Sequence, residues 1–152
     1  MKNTLGQNSA DVQLSRHFKL SEFTRSATAI RHGIDNNADA DIAEALQNLC
    51  IHVLEPIREH FGVVRITSGY RCLKLNEMVG GSRTSQHMFG EAADIHVDSL
   101  EIGRKIYTFV CEHLDFDQML LEMKGNRIHC LHISYSSEHE NRHRVCSHYV
   151  IK

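Results

Sequence analysis

The segment from Ser85 to Asp94 places a histidine, His87, and a carboxylate, Asp94, seven residues apart with small residues between them. Zinc prefers imidazole nitrogen and carboxylate oxygen among its ligands, and a catalytic zinc site has three protein ligands with a fourth position left for water. Gly90 keeps the intervening backbone slim and argues against a helix here. We therefore predict two zinc ligands, although the pair alone also fits a surface loop that leads into a strand.

The third ligand is predicted in the segment Ile128 to Ser134, which contains two histidines, His129 and His132. Side chains alternate across a regular strand, so residues three apart point to opposite faces unless the strand is irregular. Only one of the two should face the metal, and His132 is the prediction. Glu122 ends the preceding strand, where it could act as a general base or be an ordinary solvated carboxylate.

Several predicted elements position these residues. Apolar residues at helical spacing predict one long helix from Asp39 to about His60, with a kink or break near Glu55 because Pro56 lies inside it. A strand is predicted to start at Asp94 and to continue through Ile95-His96-Val97. The other predicted elements are a strand at 63–67, helices at 73–79 and 100–113, and a hairpin of strands at 117–123 and 127–135.

Length and composition set the broad class. At 152 residues with 41% hydrophobic content, the chain fits one compact domain, predicted at residues 17–152 after a flexible N-terminal tail at 1–16. A net charge of -2 without a basic run argues against nucleic-acid binding. No stretch is long and apolar enough to span a bilayer, and the first residues lack a signal-peptide core, which predicts synthesis in the cytoplasm.

Three motifs resemble the zinc D-Ala-D-Ala carboxypeptidase family, which includes bacterial cell-wall enzymes and phage endolysins. They are Ser68-Gly69-Tyr70-Arg71, Ser85-x-His87-x-x-Gly90-x-Ala92-x-Asp94 and Leu131-His132-Ile133-Ser134. Phe18-x-Leu20-x-Glu22-Phe23 and Asp117-Gln118 also resemble its small, single-domain peptidoglycan-cleaving branch. The likeness extends over roughly residues 17 to 136, and the order of the three motifs makes it specific.

The resemblance implies an α+β fold in which a small antiparallel sheet holds the zinc site and packs against helices. It implies that His87, Asp94 and His132 bind one zinc ion per chain. It further implies that Arg71 grips the terminal carboxylate of the substrate and that Ser85 is also substrate-binding. A planar guanidinium pairs bidentately with a carboxylate, which suits this role of Arg71.

Two residues are candidates for the catalytic base. Phe116-Asp117-x-x-x-x-Glu122 followed by a His-bearing strand is similar to the hedgehog signalling domain, a structural relative with the same zinc arrangement, and this likeness supports Glu122. Other carboxypeptidases of the family place an acidic residue three positions before the last ligand, where this chain has His129. We predict Glu122 as the base, with His129 as the competing candidate.

The predicted function is zinc-assisted hydrolysis of peptidoglycan stem peptides, as a carboxypeptidase or an endopeptidase. The protein is predicted to be a monomer. It would act on the cell wall if released, as a phage or prophage lysis enzyme does. Two other interpretations stay open. One is a catalytically inactive, zinc-stabilised module that binds peptides or proteins. The other is a metal-buffering protein, suggested by twelve histidines, which would bind several metal ions at scattered sites.

Overall fold

The structure is a computed structural model that describes residues 11–151. Over these residues the chain forms a five-stranded sheet in the order β1-β2-β4-β3-β5, with β5 parallel to β3 and the other neighbours antiparallel. The strands are β1 (Ile66–Ser68), β2 (Ala92–Ile95), β3 (Gln118–Lys124), β4 (Arg127–Ser134) and β5 (Arg144–Ile151). The helices are α1 (Leu20–Thr24), α2 (Ala27–Arg31), α3 (Ala40–Leu49), α4 (Glu55–Phe61), α5 (Leu73–Met78) and α6 (Leu100–His113). This is the α+β class predicted from the sequence.

The predicted long helix is present and has a local irregularity. Helix α3 is followed directly by a π-helical turn, Cys50–Leu54, and then by α4. Pro56 has no N–H to donate and its ring clashes with a regular preceding turn, so a wider turn just before it is the expected accommodation. Asp39 begins the helix by accepting a hydrogen bond from the backbone N–H of Ile42 at 2.9 Å.

The two faces of the sheet have different roles. Alternate residues of β3 and β4 are buried on one face, where they pack in a single core with α3, α4 and α6. The core residues of this face include Met119, Leu121, Leu131 and Ile133. The opposite face presents Asp94, Glu122 and His132, which are each only partly exposed. Strand periodicity therefore separates the core from a polar face.

Two strands differ from their predicted positions. Strand β2 ends at Ile95, and its pairing with β4 runs from Ala92 to Ile95, so the prediction that the strand starts at Asp94 and includes His96 and Val97 is wrong. The small residues Ala92 and Ala93 are fully buried between neighbouring strands, which the sequence pattern did not indicate. The predicted strand at 63–67 is likewise displaced to Ile66–Ser68.

The segment before α1 is attached to the long helix. Leu14 is buried, and the backbone of Gln13 bridges Lys19. The Glu55 carboxylate accepts hydrogen bonds from the Ser15 hydroxyl and the His17 backbone N–H, both at 2.7 Å. The first ten residues of the predicted N-terminal tail lie outside the described part of the chain. Within the described part, no helix combines the length and apolar character needed to cross a bilayer.

Candidate metal centre and active site

His87 lies in a short 3-10 helix, Gln86–Phe89, that begins and ends with residues suited to those positions. The Ser85 hydroxyl accepts a hydrogen bond from the His87 backbone N–H at 3.3 Å, and Gly90 ends the turn with φ of +70°. Glycine is favoured at the end of a helical turn in this left-handed backbone conformation, because it has no Cβ. The His87 ring is buried, with 2% of its surface exposed.

The ring orientation of His87 follows from its hydrogen bonds. Its Nδ1 lies 2.6 Å from the carbonyl oxygen of Gly69, and since a carbonyl can only accept, Nδ1 must bear the proton. The lone pair is then on Nε2, which lies 3.3 Å from Asp94 Oδ1. A histidine that donates one ring N–H to a backbone carbonyl and offers the other nitrogen is typical of metal ligands.

Asp94 and His132 face each other directly across the β2–β4 pair. Asp94 Oδ1 lies 2.8 Å from His132 Nδ1, and ligand atoms of His87, Asp94 and His132 all lie within 4.8 Å of one another. Burial opposes ionisation of Asp94, but the neighbouring imidazoles of His132 and His87 outweigh it and hold the pKa of this carboxyl well below its usual range. Two imidazoles and an ionised carboxylate at these distances fit a three-ligand zinc site.

The loop that contacts His87 depends on close backbone packing. A Cβ added to Gly69 would lie 2.5 Å from the Phe23 Cα, so only glycine fits where the carbonyl of this residue meets His87. The buried Asn36 side chain fastens the same loop, because it accepts a hydrogen bond from Cys72 N at 2.8 Å and donates to Tyr70 O at 3.0 Å. The sequence analysis missed Asn36.

Arg71 lies at the edge of the metal centre. Its backbone N–H donates to the His87 carbonyl at 3.0 Å, and its Nη1 donates to the Oδ1 of buried Asn76 at 3.2 Å. Burial lowers the pKa of Arg71, and the nearby charges of Asp94 and Glu122 act in the opposite direction. Within the described chain, the buried Nε of Arg71 has no hydrogen-bond acceptor. A donor of this kind is available to an anionic ligand.

Glu122 lies on the same face of the sheet as the metal centre. It pairs with Cys130 across β3 and β4, whereas His132 pairs with Leu120. Glu122 and His132 are therefore diagonal neighbours, about 7 to 8 Å apart along the sheet. A carboxylate at this separation can reach the centre through one water molecule, as a candidate base requires.

His129 lies on a β-bulge. Glu122 pairs with Cys130 and the next residue, Met123, pairs with Ile128, so His129 is the extra residue of β4. Its ring is close to Glu122 and Cys130, because donor atoms of the three lie within 4.8 Å of one another. The prediction that His129 and His132 point to opposite faces assumed a regular strand. Strand β4 is not regular at His129, because the bulge lies there.

Cys130 is a second residue that the sequence analysis missed. Its thiol is buried, with 2% of the residue exposed, and its S–H donates to Glu122 Oε2 at 3.3 Å. Burial raises the pKa of this thiol, and the charges of Asp94 and Glu122 raise it further. A neutral thiol therefore contacts the candidate base.

A buried carboxylate, Asp117, connects the His87 turn to the end of the sheet. It accepts hydrogen bonds from Gln86 Nε2 at 2.9 Å and from Arg142 Nη2 at 2.7 Å, and it is fully buried. The Arg142 hydrogen bond is the main reason that the pKa of Asp117 falls to about 2. Asp117 thus positions the turn next to His87, and its partners could not be found from sequence because they lie 31 and 25 residues away.

We expect Asp117→Asn to destabilise the fold at neutral pH and to have little effect in acid. A carboxylate with a folded pKa near 2 and an unfolded pKa near 4 stabilises the fold above about pH 4, and this contribution is lost as the pH falls towards 2. Because Arg142 is half exposed, the expected loss is about 1 to 2 kcal/mol. Urea unfolding at pH 7 and at low pH measures it.

Asp115→Asn is the matched control for this experiment, since Asp115 is an exposed neighbour and its removal should change the free energy of unfolding much less. A difference between Asp117→Asn and wild type that stays constant across this pH range would show that the Asp117 carboxylate is not the stabilising group.

Two cavities flank the metal centre. One, of about 760 Å³, is lined by Asp94, Arg71, Tyr70, Arg25 and Arg65 among others. The other, of about 420 Å³, is lined by His132, Ser85, Gln86, Arg142 and Arg144 among others. Ser85 thus borders one cavity and Arg71 the other.

Comparison with known proteins gives one family. A family model described as Peptidase M15 matches residues 16–131, which is more than half of the chain. The matched region includes Arg71, His87, Asp94, Glu122 and His129, and it ends one residue before His132. A search of curated proteins finds no match.

Proposed function

Because the chain belongs to the peptidase M15 family, we propose that it is a zinc-dependent peptidase that hydrolyses the stem peptides of peptidoglycan, as a carboxypeptidase or an endopeptidase. The family membership confirms the resemblance to the zinc D-Ala-D-Ala carboxypeptidases that the motifs indicated. The observation on which the proposal rests is the convergence of His87 Nε2, Asp94 Oδ1 and His132 Nδ1. A role in phage lysis is part of the same proposal and rests on the resemblance alone.

His87, Asp94 and His132 are the residues that would hold the zinc ion. Zinc bound there supplies Lewis-acid chemistry, since it lowers the pKa of water and polarises a carbonyl oxygen. The Gly69 carbonyl fixes the ring of His87 through Nδ1, and the low pKa of Asp94 keeps that carboxylate charged. These contacts prepare the three side chains to bind a cation without large rearrangement.

Glu122 is the proposed base, which takes a proton from water and delivers it to the leaving amine. Its place diagonal to His132 on the polar face of the sheet supports this role. The Cys130 thiol donates to Oε2 of Glu122 at 3.3 Å and so orients the carboxylate. His129 remains the second candidate, because the bulge brings its ring within the same small cluster.

Arg71 is the proposed binding residue for a substrate carboxylate. Its Nη1 is held by Asn76, while the buried Nε has no acceptor in the described part of the chain. Gly81 permits this arrangement, because a Cβ there would lie 2.0 Å from Asn76 Oδ1 and 2.9 Å from Arg71 Nη1. Ser85 is proposed to contact the substrate from the other cavity, because Ser85 is one of the residues that line it.

We expect Arg71→Ala to weaken hydrolysis of substrates with a free terminal carboxylate and to leave zinc in place. Loss of a charge-assisted bidentate pair is worth on the order of 2 to 3 kcal/mol, which is about 30-fold to 150-fold in kcat/KM. The measurement compares kcat/KM for one stem peptide with a free or an amidated C-terminus. Equal losses of kcat/KM on both substrates would show that Arg71 is a structural residue. The matched control is Arg65→Ala, because Arg65 lines the same cavity.

Digestion of purified muropeptides followed by mass spectrometry tests the proposed function. Products that differ from the substrate by hydrolysis of one amide bond support it, and the masses identify which bond is cleaved. The alternative of a zinc-stabilised binding module predicts a zinc-loaded protein that binds such peptides and leaves them intact.

A further inference from the structure

We propose that Glu122, His129 and Cys130 form a second metal site, which takes a divalent zinc ion in addition to the one at His87, Asp94 and His132. One carboxylate oxygen, one imidazole nitrogen and one thiol sulfur of these residues lie within 4.8 Å of one another. Zinc is the metal that proteins bind through such a mixed set of donors.

The distances in the cluster fit a zinc ion with small movements. Ligands about 2.0 to 2.3 Å from a tetrahedral zinc ion lie roughly 3.3 to 3.7 Å from each other. Cys130 Sγ and Glu122 Oε2 are already 3.3 Å apart. The ion would take the place of the thiol proton between them, and that proton would be released to water. The His129 side chain is exposed. Its ring is therefore free to turn by the small amount that would bring its nitrogen to a coordinating distance.

The β-bulge is the feature that creates this site. In a regular strand, adjacent residues such as His129 and Cys130 would point to opposite faces. The extra residue of β4 opposite Glu122 instead brings both side chains to the same carboxylate. The buried thiol gives the site a fixed ligand, and the exposed imidazole leaves a path for the ion to enter.

The two sites would hold separate ions. Cys130 precedes His132 by two residues on β4, which is a separation of about 6.6 Å along the strand. Metal ions that share bridging ligands lie only about 3.5 to 4 Å apart. The second ion is therefore too far from the first to be its partner in a two-metal mechanism.

Occupation of the second site would inhibit the peptidase, and this consequence rests on the proposed function. A Glu122 carboxylate bound to a metal ion cannot accept a proton from water. Excess zinc should then lower the rate, whereas the amount of zinc that fills only the His87 centre should not.

The first test counts metal ions in the full chain and does not depend on activity. With excess zinc removed by a rapid desalting step, we expect about two zinc ions per wild-type chain and one per Cys130→Ser chain. Titration with Co²⁺ should give a thiolate-to-cobalt charge-transfer band in wild type that is absent in Cys130→Ser. Cys111→Ser is the control, because Cys111 is an exposed thiol on α6 outside the cluster. The proposed site would be overturned if the wild-type chain bound only one zinc ion. It would also be overturned if a second zinc ion were still bound in both Cys130→Ser and His129→Ala.

The second test measures inhibition within each variant. We expect excess zinc to lower the wild-type rate at least 10-fold and to lower the rate of Cys130→Ser by less than 2-fold, each relative to the same protein with one zinc ion. Equal inhibition in the two proteins would overturn the inhibitory role. If neither protein hydrolyses muropeptides, the proposed function fails, and the metal count and cobalt spectrum still decide whether the site exists.

Discussion

Replacing Asp94 with alanine is expected to remove zinc binding and hydrolysis together. Asp94 is the ligand that both histidines contact, at 3.3 Å from His87 Nε2 and 2.8 Å from His132 Nδ1. Its loss leaves a buried imidazole without its anionic partner and reduces the ligand set from three to two. Stability in the presence of zinc should fall as well, because a metal that binds only the folded state stabilises it. Elemental analysis and thermal unfolding measure the two effects.

Asp98→Ala is the matched control for Asp94→Ala. Asp98 follows β2 by three residues and its side chain is 88% exposed, so its removal should leave metal content and rate unchanged. Both variants are made in a Cys130→Ser background, so that the zinc counted belongs to the His87 centre. Full zinc content in Asp94→Ala would show that the centre is not built from these three ligands.

Glu122→Gln should retain the fold and the zinc at the His87 centre but lose about 100-fold to 10,000-fold in rate, the usual contribution of a positioned general base. Glutamine keeps the size of the side chain and can still accept a hydrogen bond from Cys130, so the change removes little except the basic oxygen. The measurement is kcat on a muropeptide substrate, with zinc content determined on the same preparation.

His129→Ala and His132→Ala separate the remaining roles. His132→Ala should lose the zinc of the His87 centre together with the rate, because a ligand is needed for both, whereas His129→Ala should keep its zinc at the His87 centre and most of its rate. A small effect of Glu122→Gln combined with a large loss of rate in His129→Ala would move the role of base to His129.

The meeting of His87, Asp94 and His132 could be predicted from sequence because it depends on local rules. Histidine and aspartate are typical zinc ligands, and glycine at position 90 indicated that a turn, not a helix, joins His87 to Asp94. Strand alternation predicted that only one of His129 and His132 faces the metal, and the Leu131-His132-Ile133-Ser134 motif favoured His132; the alternation holds from Cys130 to the end of β4. Helix α6 was predicted at its observed limits, since Ser99 caps it and its apolar residues have helical spacing.

What the sequence could not indicate depends on contacts between distant residues. The bulge at His129 is a property of how β3 pairs with β4, and a single strand pattern cannot reveal it. The burial of Asp117 and its contact with Arg142 require β5 to lie beside β3, in the parallel direction. Strand β5 itself was not predicted, because a polar segment rich in histidine and arginine precedes and enters it.

The most direct test of the central proposal is the mass of a purified muropeptide after incubation with one preparation of the chain in three successive states. These are zinc-loaded, stripped with a chelator, and reloaded with one equivalent of zinc. Hydrolysis by the first and third states, with the addition of one water across a single stem-peptide amide, is the predicted result. An intact muropeptide after incubation with a folded chain that holds one zinc ion at His87, Asp94 and His132 would contradict the proposal.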